Sequence, residues 1–214
     1  MQPRVSVVVP AYNNADYLGQ TLDSIMAQDY TDFELVVADH SSADATAALL
    51  ERYAARPRVR VLEPTPAGGG ALANWNRVSE HAGGELIKLV CGDDLIAPTA
   101  LREQVQALDE NPTAVFVASP RDLIDAQGKV VMQARGLAGL RGRVSGREAV
   151  RRSVLAGTNI FGEPGCVMFR RELLVREGGW DNSFPYLIDQ ASYTRVMLHG
   201  DMVALPRTLA SFRI

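Results

Sequence analysis

Two adjacent carboxylates, Asp93 and Asp94, follow the apolar run that ends in Leu89-Val90-Cys91-Gly92. Paired hard oxygen ligands directly after a buried strand suit Mg²⁺ or Mn²⁺, above all an ion shared with substrate phosphates. Such an ion neutralises charge on a departing diphosphate. A capped turn ahead of a helix starting near Pro98 explains an Asp-Asp pair equally well, so the pair needs support from elsewhere. Two further apolar runs supply it. Residues 4–9 end in Pro10-Ala11-Tyr12-Asn13-Asn14, and residues 33–38 end in Asp39-His40-Ser41. A single aspartate after a strand is commonly a turn former or cap. Three strand ends that all carry polar or acidic groups are harder to explain that way. The glycine run Gly68–Gly70 could cradle a phosphate at a helix start, or serve only as a flexible lead-in.

These ends matter only if the elements bring them to one edge. Arg4 to Val9 and Phe33 to Ala38 are continuous and rich in β-branched residues, as strands buried on both faces are. Val59–Leu62 and Glu85–Val90 read as two more. Between them, helical spacing places Leu18, Leu22, Ile25 and Met26 on one face, then Leu49, Leu50 and Tyr53, then Leu72, Trp75 and Val78. Leu101, Val105 and Leu108 continue the pattern after Pro98. This β-α-β-α rhythm predicts an α/β fold with a mostly parallel sheet flanked by helices, and in such sheets ligands bind beyond the carboxyl ends of the strands.

The second half is less regular. Val115–Ala118, Lys129–Met132 and Gly165–Phe169 read as strands, with a turn at Asp125–Gly128. Ser145 and Glu148 have capping-box spacing ahead of Val150, Val154 and Leu155. A short helix should end near Gly178-Gly179, and another should run from about Leu187 to His199. The Gly- and Arg-rich stretch 135–143 is the best candidate for a mobile loop.

Composition narrows the class. The 214 residues carry 22 Lys and Arg against 25 Asp and Glu, a formal charge of −3, which offers no basic footprint for nucleic acid. Two distant cysteines, Cys91 and Cys166, are neither a disulfide framework nor a zinc pattern and fit a reducing compartment. The N-terminal apolar stretch lacks the plan of a signal peptide, and no apolar run reaches membrane-spanning length. The first turn has no G-x-G-x-x-G, and the chain has no P-loop.

In order and spacing, these residues resemble the family 2 glycosyltransferases of the GT-A fold along essentially the whole chain. Val5–Asn14 is similar to that family's opening strand and loop, and Leu18, Thr21, Leu22, Ser24, Ile25, Gln28 and Tyr30 to its first helix. Phe33–Asp39 with Ser42, Asp44 and Thr46 resembles the second strand and its loop. Asn74, Gly84-Glu85 and Gly92-Asp93-Asp94 match the approach to the metal motif. The resemblance implies one GT-A domain over 1–214, with a nucleotide-sugar-binding half (1–96) and a smaller, mixed acceptor-binding half (97–214).

It also implies roles. Pro10, Ala11, Tyr12, Asn14, Asp39, Asn74, Gly92 and Asp93 would contact the nucleotide, with Asp39 accepting a hydrogen bond from a uracil-type imide. Asp93 and Asp94 would hold Mg²⁺ or Mn²⁺, Asp94 being favoured as direct ligand. Asp189 would be the general base of a single, inverting displacement, ahead of the rival acids Asp181 and Asp201. Glu163 and Trp180 are candidate acceptor contacts. The implied partners are a nucleotide-sugar donor, UDP-linked by expectation, and a glycan or lipid-linked acceptor of polysaccharide biosynthesis. The implied setting is the cytoplasm, with peripheral contact at the inner membrane face for a lipid-linked acceptor. Without a Gln-x-x-Arg-Trp element, single-sugar transfer is expected.

The chain departs from the family pattern at His40 and Cys91, where many members carry aspartate, and at Gln190. A non-catalytic nucleotide-sugar-binding relative is therefore the alternative. A nucleotidyltransferase is a more distant one, because Pro10–Asn14 is unlike its phosphate loop.

Overall fold

The computed structural model describes residues 2–184 and 186–214. The four apolar runs of the first half form β1 (Val5–Ala11), β2 (Phe33–Asp39), β3 (Val59–Val61) and β4 (Leu86–Leu89). They lie parallel in the order β3-β2-β1-β4, so β1, β2 and β4 end at the same edge. Strands from the second half extend the same sheet. They are β6 (Ala114–Ala118), β9 (Gly142–Ser145), β10 (Val167–Arg170) and β11 (Asp201–Ala204), giving eight strands in the order β3-β2-β1-β4-β10-β6-β11-β9. Only β10 and β9 run antiparallel to their neighbours.

Period-two burial accounts for the layers. Val5, Val7, Val9, Leu35 and Val37 face one core with the apolar sides of α1 (Leu18–Met26), α2 (Thr46–Ala54) and α4 (Ala100–Asp109). Val8, Val36, Ala38, Ile87 and Leu89 face the other. There α3 (Gly70–Glu80), α5 (Gly146–Ala156), α6 (Arg171–Arg176) and α7 (Ile188–Met197) pack around Phe116, Phe169, Trp180 and Tyr193. A second, mixed sheet of four strands has the order β5-β12-β7-β8, formed by β5 (Leu95–Ile96), β7 (Arg121–Ile124), β8 (Val130–Arg135) and β12 (Ala210–Arg213). No helix among the described residues is long and apolar enough to cross a membrane.

Some local expectations are corrected. Ser145 precedes α5 without a side-chain cap, and Glu148 pairs with Arg151 and Arg152 rather than with the helix start. Val154 and Leu155 lie on the outer face of α5, which buries Gly146, Ala149 and Ser153 instead. The stretch 135–143 is anchored by buried Leu137 and Leu140, and from Gly142 it becomes β9.

Where β4 meets β10, the sheet opens. The ladder pairs Phe169 with Ile87 and Arg170 with Leu86. One residue on, the fully buried Lys88 takes over. Its Nζ donates to the carbonyls of Gly165 (2.6 Å) and Val167 (3.2 Å) and to Gln104 Oε1 (2.9 Å). Gln104 Nε2 in turn donates to the Cys166 carbonyl at 2.9 Å. Burial lowers the lysine pKa to about 7. Three successive carbonyls of the segment after Glu163 are thus held by two side chains, one on β4 and one on α4.

Candidate active site

Because β2, β1 and β4 are parallel neighbours, their polar ends assemble without further instruction from the loops. A cavity of about 370 Å³ lies there, lined by Pro10, Tyr12, His40, Gly68, Asn74 and Trp75 among others. Tyr12 is 58 % exposed and its ring lies 5.8 Å from that of His40, so the two form an aromatic wall. His40 Nε2 sits 2.8 Å from the Gly68 carbonyl and 3.0 Å from that of Pro66, which ties the glycine run to the end of β2. The glycines adopt positive φ at 68, 69 and 70 and open into α3.

Several expected nucleotide contacts turn out to build this wall from behind. Asn74 is buried. Its Nδ2 donates to the carbonyls of Ala11 (3.1 Å) and Ala38 (3.2 Å), and its Oδ1 accepts from Thr65 Oγ1 at 2.6 Å. That pattern pins the ends of β1 and β2 to the loop after β3. Asp39 is also buried and accepts from the Ser42 hydroxyl and, at 3.1 Å, from the Ser42 amide. Asn14 Oδ1 accepts from the Tyr12 amide at 2.8 Å. It lies so near Gly92 that a Cβ there would meet it at 2.6 Å. Glycine at 92 is therefore a packing requirement that lets the β1 and β4 loops touch.

The acidic groups converge beside this wall. Asp94 is 2 % exposed, its Oδ1 accepting, among the described residues, only from the Arg213 amide at 3.2 Å. Burial, and next the charge of Asp93, pushes its carboxyl well above the ordinary range; burial raises Asp93 as well. Asp189 stands in the first turn of α7, where Oδ2 accepts from Asn159 Nδ2 and Oδ1 from the Gln190 amide, each at 2.7 Å. Burial raises its pKa too. Glu163 is held by the guanidinium of Arg121, at 2.5 and 2.9 Å. The Cys91 thiol is pushed far up by burial and then by Asp94, Asp93, Asp189 and Glu163 in turn. Four carboxylates from three distant segments thus act on one thiol.

Neither Asp93 nor Asp94 has an ion-pair partner among the described residues, and no three His, Cys, Asp or Glu side chains there form an all-protein metal cage. A buried carboxylate beside a half-buried one, neither in an ion pair among the described residues, fits a divalent cation that completes its shell with water and phosphate oxygens.

Trp180 is packed inside the core rather than open at the surface. It is 4 % exposed, its indole donates to Ser79 Oγ, and its ring packs edge-on against Trp75 at 5.0 Å. Asp181 caps a turn through Ser183 and pairs with Arg195, and Asp201 accepts from Thr113. The sequence reading missed Arg121, Asn159 and Arg213. Their partners lie 42, 30 and 120 residues away, and no local spacing marks such pairs.

Comparison with known proteins matches residues 6–177 to Glycosyl transferase family 2. The uncharacterized protein MT1568 of Mycobacterium tuberculosis is 34 % identical over 98 % of this chain and 66 % of its own length. The poly(ribitol-phosphate) beta-N-acetylglucosaminyltransferase TarS of Staphylococcus aureus is 32 % identical over 53 % of this chain and 20 % of its own. Its structure with UDP-GlcNAc superposes with a TM-score of 0.81 at 22 % identity, covering 99 % of this chain and 58 % of that one. A mannosyltransferase from Pyrobaculum calidifontis, in complex with GDP-Man and Mn²⁺, gives a TM-score of 0.69 at 25 % identity over 99 % and 57 %. The chain spans about two thirds or less of each of these relatives.

Proposed function

Because this chain belongs to glycosyl transferase family 2, we propose that it moves a single sugar from a UDP-linked donor to an acceptor hydroxyl, inverting the anomeric carbon. The observation that carries this reading is the convergence of Asp93, Asp94 and Asp189 beside a strand-end cavity walled by Tyr12 and His40. Tyr12 and Pro10 would receive the base, with Ala11, Asp39, Asn74 and Asn14 shaping the floor. Asp93 would meet the ribose. Asp93 and Asp94 would hold Mg²⁺ or Mn²⁺, which when bound supplies positive charge for the diphosphate leaving group.

Asp189 takes the acceptor proton. As it does so, the acceptor oxygen bonds to the anomeric carbon, and the bond from that carbon to the diphosphate breaks with its electron pair on the phosphate oxygen. Asn159 fixes the carboxylate in position, and burial keeps it basic enough for the task. A glycan or lipid-linked acceptor met at the cytoplasmic membrane face fits this chemistry. Residues 1–96 would serve the donor and 97–214 the acceptor, although both contribute strands to one sheet.

Thermal unfolding with UDP, GDP and their sugar conjugates, with and without Mn²⁺, tests the reading. A nucleotide at a hundred times its dissociation constant should stabilise the fold by about 2.7 kcal/mol. A shift with UDP that grows with Mn²⁺ is the expected result. Silence with every nucleotide would point to a non-catalytic relative instead.

A further inference from the structure

A second groove, about 490 Å³, opens beside the acidic cluster and is lined by Arg121, Met132, Arg135, Gly136, Thr158 and Asn159 among others. Two of its wall residues hold the cluster's acids, since Arg121 grips Glu163 and Asn159 donates to Asp189. A molecule in the groove is therefore one side chain away from the base. Leu123, Met132 and Ile160 give it an apolar side suited to the face of a sugar ring. The charge of Arg121 is met by Glu163, whereas exposed Arg135 has no carboxylate partner among the described residues.

The rim carries backbone strain as well. Ala134, Leu137 and Ala138 have φ of 50°, 60° and 45°, a left-handed region that residues with a Cβ seldom occupy. The strain is held in place by surrounding bonds. The Ala134 amide donates to Asp122 Oδ1 at 2.9 Å, the Leu137 amide to the Ile160 carbonyl at 2.5 Å, and Leu137 and Leu140 are buried. Strain that neighbouring structure maintains at a cavity rim marks a segment shaped for a ligand.

We propose that this groove is the acceptor site and that the acceptor carries an acidic substituent, phosphate or carboxylate, which pairs with Arg135 while its hydroxyl is presented to Asp189. The planar guanidinium is the side chain best matched to either anion. This assignment rests on the glycosyltransferase reading above.

Amide NMR on the uniformly ¹⁵N-labelled chain tests the two separately. The probes are sn-glycerol 3-phosphate and methyl β-D-glucuronide, with glycerol and methyl β-D-glucoside as neutral counterparts. The charged probes should shift the amides of Arg135, Gly136, Thr158 and Asn159 saturably, and the neutral ones should not. A response to only one charged probe supports the site and names its acid. Arg135→Gln, an exposed change that should leave the remaining spectrum in place, should weaken the effect about tenfold. Equal responses to charged and neutral probes, no response at these amides, or an unchanged response in Arg135→Gln would overturn the proposal. UDP with Mg²⁺ in the same sample should shift the amides of Tyr12, His40 and Gly68. If it does and the groove stays silent, only the acceptor assignment fails; if UDP shifts nothing, the enzymatic reading fails first.

Discussion

Removing the charge of Asp189 while keeping its shape separates chemistry from binding. Asp189→Asn should lower turnover by about 10²–10⁴-fold with nucleotide binding unchanged, measured by UDP release and by thermal shift. Because the base must be ionised, the wild-type rate should rise with pH through the raised Asp189 pKa, so the acid limb sits above the ordinary carboxylate range. Asn159→Ala should move that limb, since it removes the donor at 2.7 Å that favours the ionised form. Asp94 gives the opposite kind of test. Its folded pKa is raised above its unfolded one, so its contribution to stability is complete below the unfolded pKa and is lost as pH rises through the folded value. The ion-free protein should thus be held back at neutral pH, and Asp94→Asn should melt higher, by about 2–4 °C for each kcal/mol relieved. Mn²⁺ should stabilise the wild type and not the variant. A variant that melts lower and still responds to Mn²⁺ would remove Asp94 from the ion site. At this scale Asp93 and Asp94 could be singled out from sequence because they follow a buried strand, whereas Asp189 was named only through the family resemblance. Arg121 and Asn159 could not, since they act only through partners the fold delivers.

At the scale of elements, the long apolar runs were readable because burial on both faces leaves a continuous signature. The strands that escaped, β5, β7, β9, β11 and β12, are two to four residues long, and all but β5 mix polar or charged residues with the apolar ones, so no continuous apolar run marks them. The outward Val154 and Leu155 misled for another reason. Apolar residues at helical spacing do not say which side of the helix meets the sheet. Lys88, inside an otherwise apolar run, gave no hint that it bridges the opening between β4 and β10. Its replacement by Met would keep the volume and leave the Gly165 and Val167 carbonyls and Gln104 Oε1 without a donor. Relief of the buried charge offsets part of that loss, and the net destabilisation should be about 2–4 kcal/mol by urea unfolding. Turnover should fall further than stability alone requires, because the segment that slackens carries Glu163. A Lys88→Met protein as stable and active as the wild type would reduce the clamp to packing.

Across the whole molecule, the two sheets are joined at the reacting edge by Arg213, on the last strand of the smaller one. Its Nε donates to the Asp93 carbonyl at 3.0 Å. Nη1 donates to the carbonyls of Asp125 and Ala126 at 3.0 and 3.2 Å, and Nη2 to Gln20 Oε1 at 3.1 Å. The guanidinium carbon lies 4.4 Å from the centre of the Tyr17 ring, and the backbone amide supports Asp94. One buried cation therefore ties the carboxylate loop after β4 to α1 and to the β7–β8 turn, so the placement of Asp93 and Asp94 depends on the second sheet being in place. Lysine cannot span four acceptors in three directions from a single nitrogen. Arg213→Lys should destabilise the fold by about 2–4 kcal/mol. If the coupling between sheets matters for function, it should also weaken Mn²⁺-dependent UDP binding about tenfold, although neither carboxylate has been touched. The acid limb set by Asp189 should stay where it is, since the base reaches the site from α7. Calorimetric titration of UDP with and without Mn²⁺ reads the first effect, and the pH profile reads the second. A variant that loses stability but binds UDP and Mn²⁺ as the wild type does would show that Arg213 holds the sheets together without setting the donor site. A displaced acid limb would mean that the loop after β4 and the start of α7 move as one body.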